Sequence, residues 1–73
     1  MRLDLLGTGE PTRTIGAAVV RAGMNGGVVL DLGPADGPPQ FRLLLSQAEA
    51  IQLGRIVREV ANEGGESVLI VEN

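Results

Sequence analysis

Residues 46–65 read SQAEAIQLGRIVREVANEGG and form the most clearly marked element of the chain. Ser46, with Glu49 three residues later, is the capping-box pattern that begins a helix. Gly64 and Gly65 stand where a left-handed glycine ends one. Between these ends the apolar residues recur at helical spacing and form one broad stripe: Ala50, Leu53, Ile56, Val57, Val60 and Ala61. The pattern predicts an amphipathic helix whose stripe packs on a sheet.

Strands are predicted on both sides of this helix. Their ranges are Arg2–Leu6, Ala17–Ala22, Val28–Leu32 and Phe41–Leu45 before it, and Glu66–Glu72 after it. The dipeptide Asn25-Gly26 indicates a tight hairpin turn between the second and third strands. Residues 12–16 fit either an extension of the second strand or a loop. The centre of the last strand, Val68–Val71, does not alternate, which indicates that both its faces are covered.

These elements predict one domain over residues 1–73. Its fold class is α+β, with a small antiparallel or mixed sheet, one helix packed on one face, and the order β-β-β-β-α-β. A chain of 73 residues buries only about 60% of its unfolded surface, so its core is small. One helix leaves the other sheet face bare, where apolar residues contribute from Ala18, Val20, Val29 and Leu44. Because the chain has no cysteine for a disulfide, we expect a homodimer to cover that face.

Composition argues against most kinds of catalysis. The chain has no histidine, cysteine or lysine, so neither serine, Ser46 or Ser67, has a histidine to activate it. A zinc site would lack its preferred nitrogen and sulfur ligands. We therefore expect no enzyme activity, no catalytic residue, no metal and no cofactor. The net charge of −3 argues against general nucleic-acid binding, and the absence of a long apolar run or signal peptide predicts a cytoplasmic protein with no membrane contact.

The acidic residues are interpreted as solvated surface. Asp4 and Glu10 lie near the first glycine-rich turn, and Asp31 and Asp36 flank the second. Their spacing does not match that of a calcium-binding loop, and charged side chains are exposed in most proteins.

The outer face of the helix is the candidate partner-binding surface. Ile51 projects away from the apolar stripe and shares its face with Arg55 and Arg58. Arginine is enriched at protein interfaces, and Gly54 on the adjoining edge would allow another backbone to approach. The alternative is ordinary helix surface, with Arg55 paired to Glu59.

Two glycine-rich loops form the alternative, ligand-binding candidate. The first contains Gly7, Thr8 and Gly9, and the second contains Gly33 and Asp36. At a dimer boundary, their backbone N–H groups would bind an anion or a nucleotide. The ordinary interpretation is that both are turns.

Three functions follow from these observations. The leading one is a small non-catalytic protein-interaction or regulatory module, a homodimer that also contacts another protein. All six basic residues are arginine, which suits a GC-rich source and a phage or actinobacterial accessory protein that inhibits a host factor. The alternatives are a small-molecule binding protein and a structural subunit of a larger assembly.

The first 33 residues also resemble a known superfamily. The opening MRLDLLGTGEP, followed by Ala18–Val20 and Val29–Gly33, is similar to the N-terminal strands of the metallo-β-lactamase superfamily, especially its ribonuclease Z-like branch. In that family this segment is scaffold, and the metal ligands follow in a His-x-His-x-Asp-His motif. Since the chain has no histidine, the resemblance implies the three strands and no hydrolase activity.

Overall fold

The computed structural model describes residues 1–7, 9 and 12–71 and confirms the α+β class. In this part of the chain five strands precede one α-helix. They are β1 (Arg2–Leu3), β2 (Arg13–Thr14), β3 (Ala17–Ala22), β4 (Val28–Gly33), β5 (Phe41–Leu45) and α1 (Gln47–Glu63). Two antiparallel sheets result, one of β1 and β2 and the other of β3, β4 and β5 in that order.

The first strand is shorter than predicted and has an unexpected partner. β1 ends at Leu3, before the predicted end at Leu6. Leu6 and Gly7 form a turn in which Gly7 has a φ of 77°, a left-handed conformation that glycine adopts readily. β1 pairs instead with β2, which places Arg2 opposite Thr14. Residues 12–16 therefore form neither an extension of β3 nor a plain loop, but contain a separate two-residue strand.

Ile15 links this small sheet to the start of β3. Its backbone N–H donates to the Met1 carbonyl at 2.7 Å, and the Gly16 N–H donates to the Gly33 carbonyl at 3.0 Å. The Ile15 side chain is 4% exposed. Among the residues that the structure describes, it is the only hydrophobic side chain that is buried.

The hairpin between β3 and β4 is confirmed. A short 3₁₀ turn, Met24–Gly26, connects the two strands. Asn25 has φ 54° and ψ 38°, and Gly26 has φ 77°; consecutive positive φ values are what a type I′ turn requires. The next residue, Gly27, packs closely against the backbone of Leu45, since a Cβ on Gly27 would lie 2.6 Å from the Leu45 carbonyl oxygen. Only glycine fits that approach.

Both ends of α1 are as the sequence indicates. The Ser46 Oγ accepts from the Glu49 N–H at 3.1 Å, and the Ser46 N–H donates to Glu49 Oε1 at 2.7 Å. Such a cap contributes about 1 kcal/mol to stability. At the other end Gly64 has φ 77° and its N–H donates to the Val60 carbonyl at 2.8 Å.

The apolar stripe of α1 is only partly covered. Ala50, Leu53, Ile56 and Val60 are half-buried. Val57 is 59% exposed, Ala61 is also exposed, and no residue of α1 is fully buried. Part of the stripe therefore still faces solvent.

The predicted last strand is the largest correction to the fold. No strand is assigned to residues 66–71, and Glu72 lies outside the described residues. Nor are its faces covered, since Val68, Ile70 and Val71 are exposed and Leu69 is half-buried. A strand requires a neighbouring backbone with which to exchange hydrogen bonds. The apolar, β-branched composition of a segment does not provide that neighbour.

The chain groups into two compact units. The first comprises Met1–Arg21 and Val29–Leu43, and the second comprises Ala22–Val28 and Leu44–Asn73. Ile15 is the buried centre of the first unit. The second contains α1 and the extended residues that follow it. The single domain over residues 1–73 stays a prediction.

Candidate functional site

Each strand of the three-stranded sheet carries one charged residue, and the three charged side chains meet. Asp31, on the middle strand β4, has a side chain that is 3% exposed. Arg42 on β5 donates from Nε to Asp31 Oδ1 at 2.7 Å and from Nη2 to Oδ2 at 2.9 Å. Arg21 on β3 places Nη1 2.8 Å from Oδ2. We call these three residues the arginine–aspartate centre.

The sheet geometry explains why they meet. β4 lies between β3 and β5, and alternate residues of a strand point to the same face. The contacts therefore put Arg21, Asp31 and Arg42 on one face. Val29 and Leu44 share that face by alternation, whereas Ala18 and Val20 lie on the opposite one. The prediction that these four apolar residues contribute to one bare face is therefore wrong.

The Arg42 hydrogen bond is the largest influence on Asp31 and helps to lower its pKa from 3.8 to about 2. Burial acts in the opposite direction, because it disfavours the charged carboxylate. Arg21 adds a further hydrogen bond and Coulombic attraction. In turn, the carboxylate raises the pKa of Arg42. Asp31 is thus an ionised, buried acceptor at neutral pH, held in a fixed position between two guanidinium groups.

The interpretation of Asp31 as solvated surface is wrong. The expectation is met by Asp4 and Asp36, which are exposed, while Glu10 lies outside the described residues. A lone charge within an apolar strand requires a partner when it is buried. The strands AAVVRA, VVLDLG and FRLLL each contain one such charge, and this is the signal in the sequence that could have revealed the centre.

The centre carries more positive charge than its carboxylate neutralises. Two guanidinium groups against one carboxylate leave a formal charge of +1. The side chain of Arg21 is 45% exposed and that of Arg42 is 55% exposed, so both cations reach solvent. An arginine has five N–H donors, and the contacts with Asp31 engage only some of them.

Two shallow cavities flank the centre within the first unit. One, of about 150 Å³, is lined by Ala17, Val19, Arg21, Asp31, Gly33, Pro34, Gly37 and Pro39. The other, of about 200 Å³, is lined by Asp31, Pro39, Gln40, Phe41 and Arg42. The loop between β4 and β5 is held in place by the Gln40 N–H, which donates to the Leu32 carbonyl at 2.9 Å. It packs tightly, because a Cβ on Gly33 would lie 2.9 Å from Pro39 Cα.

The structure brings only one of the predicted ligand-binding residues to these cavities. Gly33 lines the first cavity. Asp36 is exposed and lines neither. A Cβ placed on Gly7 or Gly9 would meet nothing within 4 Å, and Thr8 lies outside the described residues.

The four predicted partner-binding residues are exposed on α1. Ile51 is 66% exposed, and nothing lies within 4 Å of a Cβ on Gly54. Arg55 Nε lies 3.9 Å from Glu59 Oε1, as an ordinary helix-surface pair would. Arg58 is exposed as well. The face is accessible.

A larger apolar groove lies elsewhere in the second unit. It has a volume of about 520 Å³ and is lined by Leu53, Ile56, Val57, Val60, Ala61, Gly65, Glu66 and Ser67. We call it the α1 groove. Residues Val68–Val71 follow it directly in sequence, all of them exposed except the half-buried Leu69, and we call them the C-terminal segment. The sequence located this stripe but indicated that the chain itself would cover it.

Comparison with known proteins gives no family. No protein-family model, curated protein or solved structure matches the chain, and the metallo-β-lactamase resemblance stays a prediction. Among residues 1–7, 9 and 12–71, no group of three or more acidic side chains is placed to hold a metal ion. In the same residues no helix has the length and apolar content to cross a membrane.

Proposed function

We propose that the protein is a non-catalytic interaction module that acts as a homodimer. The apolar surface of the second unit carries the proposal. The α1 groove has a volume of about 520 Å³ and is lined mainly by apolar side chains of α1. Large exposed apolar patches mark protein–protein interaction sites.

Exposed apolar side chains surround this groove in the sequence of the second unit. Val57, which lines the groove, is exposed, and so are Val68, Ile70 and Val71 of the C-terminal segment. Ile70 alone is 83% exposed. Burying a side chain of this size contributes about 1.5–3 kcal/mol, so covering these residues would add stability that the small core does not supply.

A second copy is the occupant that best fits this surface. The C-terminal segment is apolar, and it is assigned to no sheet of the described chain. Two such segments related by a two-fold axis can pair as antiparallel strands, each copy supplying the same surface. An apolar surface of this kind suits an obligate homodimer, whose interfaces are more apolar than transient ones.

The chemistry of the chain supports a role without catalysis. Histidine, cysteine, lysine and tyrosine are absent from the full sequence, and most nucleophilic and acid–base mechanisms depend on these side chains. The module would then act by contact, and a regulatory role toward a second protein follows. Its cytoplasmic location and its phage or actinobacterial source are further parts of the proposal.

The test is the solution mass of two matched variants. Ile70→Asp puts a charge into the C-terminal segment, and we expect light scattering to show the mass of one chain, 7.6 kDa, where the unmodified protein has twice that mass. Ile51→Asp makes the same change on the opposite face of α1 and should leave the dimer intact. Refractive-index detection is needed because the chain has no tryptophan or tyrosine.

Two results would overturn the proposal. A monomeric unmodified protein would remove the dimer altogether. Dissociation by Ile51→Asp alone would move the interface to the face of Ile51, Gly54, Arg55 and Arg58, away from the α1 groove.

A further inference from the structure

The arginine–aspartate centre has one more arginine than is needed to satisfy the buried carboxylate of Asp31. A bidentate guanidinium already satisfies both oxygens of a buried carboxylate, and Arg42 makes both of those bonds. Arg21 adds a second cation at 2.8 Å from the same carboxylate. Holding two like charges together costs free energy, and an external anion would relieve this repulsion.

The remaining donors reach solvent. Arg42 uses Nε and Nη2 to contact Asp31, which leaves the N–H groups of Nη1 outside this contact. Arg21 uses Nη1 to contact the same carboxylate, which leaves those of Nε and Nη2 outside it. Each arginine side chain is about half exposed. Because Asp31 fixes both guanidinium groups, an incoming anion would meet donors that are already oriented, at a lower cost in side-chain entropy.

The adjoining cavity limits the size of the ligand group. Its volume is about 150 Å³, below the 300–1,000 Å³ or so of sites that enclose whole small molecules. Gly33 and Gly37 line it without side chains, and Arg21 and Asp31 form its charged wall. It would admit a charged head group and leave the rest of the ligand in solvent.

We propose that this centre binds the phosphate group of a small phosphorylated ligand. Arg21, which lines this cavity with Gly33 and Gly37, and Arg42, which lines the second cavity beside the same carboxylate, would donate to it. Arginine forks match the geometry of phosphate oxygens, and a phosphate would neutralise the local charge of +1. The site lies in the first unit and does not depend on the C-terminal segment. It differs from the glycine-loop hypothesis because the arginine side chains, rather than the loops' N–H groups, supply the charge.

The experiment titrates the isotope-labelled protein with pyrophosphate and follows the arginine Nε–H signals by NMR. We expect saturable shifts at Arg21 and Arg42, with a Kd on the order of 1 mM that rises with salt. Arg21→Gln should weaken binding about tenfold, as expected for loss of a charged hydrogen bond. Arg58→Gln, which removes an exposed arginine from α1, should leave the Kd unchanged.

A second variant separates loss of binding from loss of fold. Val19 lines the cavity and is exposed, so Val19→Phe should block the site while the Arg42–Asp31 bonds persist. Three results would overturn the proposal. They are equal weakening of pyrophosphate binding by Arg58→Gln, no saturable shift of the arginine signals at pyrophosphate concentrations up to 20-fold above the expected Kd, and undiminished pyrophosphate binding by Val19→Phe. Binding of malonate as tight as that of pyrophosphate would overturn the choice of phosphate over carboxylate.

Discussion

The arginine–aspartate centre and the C-terminal segment invert the usual distribution of residues. In the centre, the carboxylate of Asp31 is almost fully buried within a sheet, where its charge is matched by two arginines. In the segment, Ile70 and its apolar neighbours face solvent. Buried charge is tolerated only when it is paired, and the pairing is complete within one chain. Large exposed apolar surfaces mark interaction sites, and in the proposed homodimer the partner of this surface is a second copy.

The two regions differ in whether a single chain supplies their contacts. The bonds of Asp31 come from strands on both sides of β4. The C-terminal segment has the composition of a strand, but it is paired with no strand of the described chain. The centre should therefore determine the stability of the single chain, and the segment should determine its association.

The largest expected effect is that of Asp31→Ala. It removes the only carboxylate in the centre and leaves two guanidinium groups side by side, a change that is strongly destabilising for partly buried pairs. We expect the thermal midpoint, followed by circular dichroism, to fall by about 10 °C or more. Asp36→Ala is the matched control on an exposed carboxylate and should shift it by less than about 3 °C. Equal small shifts for both variants would show that the centre does not hold the sheet together.

Acid should act on the same carboxylate with a smaller effect. The pKa of Asp31 is about 2 in the folded chain against an ordinary value of 3.8, so the unfolded chain binds the proton more readily. The stabilisation is then fully present above about pH 4 and is lost as the pH falls toward 2. Urea unfolding at steps between pH 5 and 2 measures this loss. Asp31→Asn should flatten the slope in this window, and an unchanged slope in that variant would contradict the assignment.

The sequence predicted those parts of the molecule whose signals are local. The Asn25-Gly26 turn, the Ser46–Glu49 cap and the bounds of β5 all depend on residues a few positions apart. The pairing of β1 with β2 depends on a contact between distant residues, which no local pattern encodes. For the same reason the strand at residues 66–72 was wrongly predicted: its composition is right, but its pairing partner is missing.

The candidate site was partly predictable for a related reason. Each of three apolar strands carries one charged residue, a pattern that could have shown that these charges meet once the strands are adjacent, although Asp31 was interpreted as solvated surface. Which arginine would bind Asp31, and with what geometry, depends on the strand order. The exposed face of Ile51, Arg55 and Arg58 was located correctly as surface, but its role as an interface stays a prediction.

Hydrogen exchange of the backbone amides of Val68–Val71 tests the central claim most directly, because it reports on the segment that is proposed to complete the dimer. At protein concentrations where light scattering shows two chains, these amides should exchange far more slowly than in an unfolded peptide. On dilution to the single chain, the protection should disappear while that of β4 persists. Rapid exchange of the segment at every concentration would contradict the claim that a second copy pairs with it.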